Sequence, residues 1–243
     1  MSSVGDWNVP RSLQPRAEDY SFDLDAVLSS VVGVRTHTHA DAFTADTLGD
    51  ERHGSGVLIP GGLVLTVGYL VVEAESIWLS FSDGSSAQGH TLGYDQQTGF
   101  AVVQPLARID LPSLEFGSSS VAGVEDRIVL GAPGGQEHSI AGHIVARQEF
   151  AGYWEYVLDE AIFTAPAHPH WGGAPVIDMK GTLIGIGSLQ LQSTSAQGEE
   201  LPINMSIPID LLHPILDDLK KMGRADRPVR PWLGLYSADI DGE

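Results

Sequence analysis

The side chains in this chain that could do chemistry are histidine, serine and tyrosine, because its 243 residues contain no cysteine. Thiol catalysis, disulfides and thiolate-bound metals are thereby excluded, while the compartment is left open. The nine histidines include two pairs spaced two apart, His37 with His39 and His168 with His170. On a strand that spacing puts both rings on one face, and two such pairs brought together would hold zinc. The pairs lie in different parts of the chain and no carboxylate stands at a clear ligand spacing, so loop histidines are the simpler account and no cofactor is expected. Ser118, Ser119, Ser120 and Ser188 are candidate nucleophiles, but no spacing implies a base beside any of them. Tyr69 suits a pocket wall as well as a proton donor. The densest stretch is Pro166-Ala167-His168-Pro169-His170-Trp171-Gly172-Gly173-Ala174-Pro175-Val176. A Gly- and Pro-rich loop between apolar runs presents backbone N–H groups and a reactive side chain on a rigid frame. Here the frame lacks an obvious nucleophile.

The elements around these residues read as short strands. Ser30 to Arg35 is a strand and Thr36 to His53 a polar loop. Gly54 to Ile59 and Leu63 to Thr66, joined by Pro60-Gly61-Gly62, make a hairpin. Ser76 to Phe81 alternates, Asp83-Gly84 turns, and Phe100 to Val103 is a buried strand. Leu106 to Ala122 connects to a second set: Arg127 to Leu130, Ser139 to Ala146, Tyr153 to Leu158, the apolar run Glu160 to Thr164, Val176-Ile177 and Thr182 to Leu189. Such spacing predicts an all-β protein of two β-barrels. One helix is expected after Pro208, where Ile209, Leu212, Ile215, Leu216 and Leu219 form an apolar face, Lys220-Lys221 suit the dipole and Gly223 stops it. Residues 1–25 read as a polar, irregular tail carrying Trp7, Tyr20 and Phe22; residues 26–225 as the double-barrel domain; residues 226–243 as a Pro-rich linker.

Formal net charge is −19, from 32 acidic and 13 basic residues, which argues against nucleic acid and anionic membranes as partners and for solubility. No apolar run approaches the ~18 residues of a membrane helix. The start lacks a signal-peptide pattern, so the expectation is a cytoplasmic protein as written, or a periplasmic one if a leader was removed.

In consistent order over residues 28–235, several stretches resemble the HtrA/Deg family of trypsin-fold serine proteases. They are Gly54 to Ile59 with Leu65-Thr66, Gly93 to Val103, Pro169 to Pro175, Leu183 to Gly187, Ser206 to Leu211, and Arg230-Pro-Trp-Leu-Gly234, which looks like the linker entering a PDZ domain. Only eight residues follow Leu235, so the resemblance implies that such a domain is missing here. It also implies a trypsin-like double barrel with a C-terminal helix. Where the family has Leu-Thr, two small residues and histidine, this sequence has Leu65-Thr66-Val67-Gly68-Tyr69. Where it has Asp-x-x-Thr-Asp-Leu-Ala, this one has Asp95-Gln-Gln-Thr-Gly99-Phe-Ala101; where it has Asn-Pro-Gly-Asn-Ser-Gly-Gly-Pro, this one has His168 to Pro175 with Gly172 at the serine. The triad-equivalent positions are thus Tyr69, Gly99 and Gly172, and none is intact. Tyrosine, with a reference pKa near ~10, does not replace imidazole as a base at neutral pH. Without a nucleophile no acyl-enzyme forms. His170 and Gly172 stand at the oxyanion-hole positions, with His170 replacing a glycine, and Trp171 is placed to fill the former site.

By the same resemblance, a peptide would add as a strand along Gly185, Ile186, Gly187, Ser188 and Leu189, with Ala167, His168 and Trp171 near its side chain. The expected function is that of a catalytically inactive HtrA-like protein that binds peptides or proteins, acts as a scaffold or regulates an active relative. The alternative is a working peptidase with a rebuilt or metal-dependent site. Family resemblance implies trimers, for which Trp7, Tyr20 and Phe22 are the candidate contacts.

Overall fold

The computed structural model describes residues 9–152, 156–194, 198 and 200–228. The short helix α1 (Leu24–Leu28) is capped by the Asp23 carboxylate, which accepts the Ala26 N–H. It leads into β1 (Val31–Thr38), then helix α2 (Ala45–Leu48), β2 (Glu51–Ile59), β3 (Leu63–Val67) and the one-turn helix α3 (Gly68–Val71). β4 (Ala74–Ser80), β5 (Ser86–Tyr94) and β6 (Phe100–Pro105) complete a closed antiparallel barrel in the order β1-β2-β3-β6-β5-β4. The second barrel contains β7 (Arg127–Leu130), β8 (Ile140–Ala151), β9 (Val157–Ala165), β10 (Pro175–Ile177), β11 (Leu183–Thr194) and β12 (Glu200–Pro208), closed as β10-β11-β12-β9-β8-β7. A 3-10 turn, Ile209–Leu211, precedes helix α4 (Leu216–Met222).

The β-branched and leucine-rich runs close these barrels. In the first, Val57, Val64, Leu65, Val102, Val103 and Leu79 are fully buried; in the second, Ile128, Leu130, Ile144, Ile162, Val176 and Ile184 are at most 1% exposed. Each such side chain contributes roughly 1.5–3 kcal/mol. Among the described residues no helix is long and apolar enough to cross a membrane.

The double barrel agrees with the sequence reading, and several details correct it. Thr36–Thr38 and Glu51–His53, expected in a loop, extend β1 and β2, because Thr36 and Arg52 are buried. β5 and β12 add two strands to those read from the apolar runs of the sequence. From Val9 onward the expected irregular tail packs on the second barrel: the Val9 N–H donates to Glu137 O (3.0 Å), and Ala141 N–H to Leu13 O (2.8 Å). Phe22 lies on Gly181, where a Cβ would be 2.8 Å from its ring. Tyr20 sits 5.2 Å from Phe22, with the Arg127 guanidinium 5.8 Å over the Tyr20 ring. The C-terminal helix starts later than Pro208, yet Ile209, Leu212 and Leu219 are buried and Gly223 ends it at φ +74. Trp7, Tyr153 and the linker motif Arg230 to Gly234 lie outside the described residues.

Candidate functional site

Tyr69, Gly99 and Gly172 come from α3, the turn before β6 and the loop before β10, and the fold brings all three to the junction of the barrels. The Gly68 N–H donates to Gly99 O (2.7 Å), which ties α3 to that turn. A Cβ on Gly172 would stand 2.8 Å from the Tyr69 hydroxyl. Gly99, at φ +83, is in a region that favours glycine, and a Cβ there would run into the Tyr156 ring and lie 3.0 Å from Ile207 Cδ1. The space next to each glycine is therefore taken by a tyrosine.

Both phenols converge on Ser188. The Tyr69 hydroxyl donates to Ser188 O at 2.7 Å, and the Tyr156 hydroxyl is hydrogen-bonded to Ser188 Oγ. Ser188 itself is fully buried. Tyr156 escaped sequence reasoning, since only the β8–β9 hairpin brings it over a residue so distant in sequence. Tyr69 is held from behind by Arg52, which is 4% exposed. The Arg52 guanidinium donates to Tyr69 O (2.9 Å), Val72 O (2.9 Å), Gly49 O (3.1 Å) and Thr44 Oγ1 (2.7 Å). Burial lowers its pKa, with Glu73 acting in the opposite direction.

The loop from His168 to Gly172 is locked by side-chain amide and imidazole. Asn204 Oδ1 accepts the His168 N–H at 2.5 Å, and Asn204 Nδ2 donates to His168 O at 3.2 Å. His168 Nε2 lies 2.7 Å from His138 O, and His168 Nδ1 lies 2.9 Å from His170 N. A carbonyl only accepts and an amide only donates, so the neutral ring carries its proton on Nε2 and accepts at Nδ1. Burial pushes its pKa down to about 4, opposed by the His138 carbonyl and assisted by the His170 and His138 rings.

This arrangement corrects several expectations. His168 is fully buried and engaged inside the protein, so it does not line a peptide pocket in this conformation. The His170 N–H, expected in an oxyanion hole, is turned into the His168 ring. Gly185 and Ile186 lie between β10 and β12, paired on both sides, and so are not on a free edge. Gly187 spends its N–H on Ala174 O (2.7 Å) and its carbonyl on Gly173 N–H (2.8 Å). Of the expected edge, Ser188 and Leu189 border the part of β11 that, among the described residues, pairs with β12 alone. Ala167 and Trp171 are half-buried at the loop's two ends, and Trp171 O accepts from Ala174 N–H at 3.0 Å.

Among the described residues, the side chains named for the alternative chemistry are not brought into one group. Among the described residues no three His, Asp or Glu side chains are grouped to hold a metal ion. His37 and His39 are exposed and lie near different carboxylates, Glu75 (3.8 Å) and Asp41 (3.6 Å). Ser118, Asp210 and His213 do meet, but the carboxylate sits in the middle: Ser118 Oγ donates to Asp210 at 3.1 Å and His213 Nε2 is 3.9 Å from it. A nucleophile needs the imidazole beside it. Ser119 and Ser120 donate backbone N–H groups to the same Asp210, which caps the turn. Asp95 is likewise structural, accepting from Thr98 and from Arg227 at 2.9 and 3.0 Å.

Comparison with known proteins places this geometry. The family described as trypsin-like peptidase domain matches residues 54–186. A protein of Pseudomonas putida described as a probable periplasmic serine endoprotease, DegP-like, is 28% identical over 190 residues, covering 77% of this chain and 38% of that protein. Protease Do-like 1, chloroplastic, of Arabidopsis thaliana is 28% identical over 202 residues, covering 78% and 44%. The chain thus spans less than half the length of these curated relatives. Among solved structures, the HtrA-type protease AlgW with a tripeptide superposes with a TM-score of 0.66 at 21% identity, covering 82% of this chain and 63% of that one. The same protease with a decapeptide gives 0.64 at 23% identity, covering 86% and 70%.

Proposed function

The chain belongs to the trypsin-like peptidase domain family, and we propose that it is a catalytically inactive, HtrA-like member that binds peptides or proteins without cutting them. The observation that carries this reading is the tyrosine plug. The Tyr69 phenol oxygen stands 2.8 Å from where a side chain at 172 would begin and is bonded to Ser188 O, and Tyr156 fills the space beside Gly99. An acyl transfer needs a nucleophile, a base to take its proton and donors for the oxyanion. On this reading position 172 supplies no nucleophile, Tyr69 supplies no base, and the His170 N–H is spent on His168.

What remains usable is backbone. Among the described residues, β11 beyond Ile186 pairs with β12 alone, and its other side is an edge on which an extended segment can add as a strand. Binding there, scaffolding as a homo-trimer, or regulation of an active relative through mixed assembly are the uses that keeping the fold while losing the chemistry leaves open. Residues 1–25 are the proposed oligomerisation segment and residues from 226 the start of a linker. A periplasmic setting, the compartment in the names of the Pseudomonas relatives, suits the reading better than the cytoplasm expected from the start of the sequence. The surplus of acidic residues makes nucleic acid an unsuitable partner.

Two readouts on one sample test this. A fluorophosphonate probe should leave the intact mass unchanged, and labelled unfolded casein should bind saturably by anisotropy without being shortened. Covalent labelling of a serine would refute the inactive reading, and absence of binding would refute the peptide-binding one.

A further inference from the structure

Building on the reading of β11 as a peptide-binding edge, we propose that Tyr69 is an autoinhibitory gate on that edge, and that Gly172 is what makes room for it. Gly185 and Ile186 are covered by β10 on one side and β12 on the other, and β10 begins at Pro175, opposite Ile186. The Gly187 main chain is consumed by Gly173 and Ala174. Ser188 O is therefore the first carbonyl that β11 presents away from β12, and the Tyr69 hydroxyl occupies it at 2.7 Å. Alternation along a strand makes Gln190 the next residue to face the same way. An incoming strand would deliver an N–H to Ser188 O, and the phenol already bonded there competes with it for that carbonyl.

The rest of the site is built for this contact. Arg52 fixes the carbonyl of Tyr69 and so fixes where its side chain starts. A side chain at 172 would begin 2.8 Å from the phenol oxygen, so the glycine keeps the path of the ring clear. Tyr69 is half-buried, between the Arg52 guanidinium on its main chain and Ser188 O on its hydroxyl. Trading one neutral hydrogen bond for another lowers the affinity of a ligand strand by the closed-to-open ratio, roughly threefold to tenfold.

The test is Tyr69→Phe, which keeps the ring and removes the bond, compared with wild type and with Tyr94→Phe, an exposed phenol lost elsewhere. Fluorescein-labelled unfolded casein is the probe. The gate requires Tyr69→Phe to bind roughly threefold to tenfold more tightly, with Tyr94→Phe unchanged. Wild-type binding that Tyr69→Phe leaves equal or weakens overturns the gate while leaving the peptide-binding reading intact. If no protein binds casein, that underlying reading fails. The gate contact is then judged alone by the carbonyl 13C shift of Ser188, which must move in Tyr69→Phe; an unmoved shift overturns it.

Discussion

The buried His168 ring makes acid stability the sharpest quantitative test of the locked loop. His168 is fully buried, donates from Nε2 to His138 O and accepts the His170 N–H at Nδ1. A second proton at Nδ1 would face that N–H and would add charge to an apolar interior beside the His170 ring, 6.2 Å away, and His138. The pKa is accordingly lowered from 6.5 to about 4. The unfolded chain therefore takes up the proton first. The stabilising effect of a neutral His168 is complete above about pH 6.5, is lost as pH falls toward about 4, and changes no further below that; the full gap corresponds to about 3 kcal/mol. The perturbation is His168→Gln, which keeps an N–H for His138 O and does not titrate. Urea unfolding of both proteins from about pH 7.5 down to about pH 4 isolates this group, because lowered carboxylates such as Asp210 act equally in both. Wild type should lose about 3 kcal/mol more than the variant across that window, at up to about 1.4 kcal/mol per pH unit. Parallel curves, or a His168 NMR titration centred near 6.5, would refute the reasoning.

Three further outcomes follow from contacts around the site. Gly99→Asp puts a side chain at φ +83 against the Tyr156 ring and Ile207, so it should destabilise by about 2–4 kcal/mol in thermal melts, with part of the loss recovered by adding Tyr156→Ala. Arg52→Met removes the donors to Gly49, Tyr69, Val72 and Thr44 and should cost about 3 kcal/mol, with faster amide exchange in α3 than in β7. Asp210→Ala leaves the Ser119 and Ser120 N–H groups without their acceptor. Burial of Asp210 raises its pKa, but those bonds outweigh it and hold it low, so the contribution exists above the ordinary carboxylate range and is lost as pH falls below it. The variant should be about 1–2 kcal/mol less stable at neutral pH and should converge with wild type in acid.

The parts of the fold written as apolar runs are legible in the sequence itself. Val57 and Leu58, Leu63 to Leu65, Phe100 to Val103 and Ile128 to Leu130 are all buried strands. β5 and β12 are not legible, for a physical reason. β5 alternates glycine, glutamine, histidine and threonine with few large apolar groups, and β12 intersperses the buried Met205 and Ile207 with the equally buried polar Asn204 and Ser206, which breaks up the apolar run. The irregular segment before β1 reads as solvated because its anchors are few and dispersed, Val9, Leu24 and Leu28 among polar neighbours. At the site, the motif order locates Tyr69, Gly99 and Gly172 together. It gives no sign that Tyr156 covers Gly99, nor that the His170 N–H turns toward His168, since both depend on contacts between distant segments.

The central claim is most directly tested by a proteolysis assay on this chain beside its Gly172→Ser variant, with labelled unfolded casein as substrate. The account predicts that neither cuts: the wild type has no nucleophile at 172, and a serine there meets the Tyr69 hydroxyl rather than a base. Cleavage by the variant would show that Tyr69 and Gly99 are not the barrier. Cleavage by the unaltered chain would contradict the account outright.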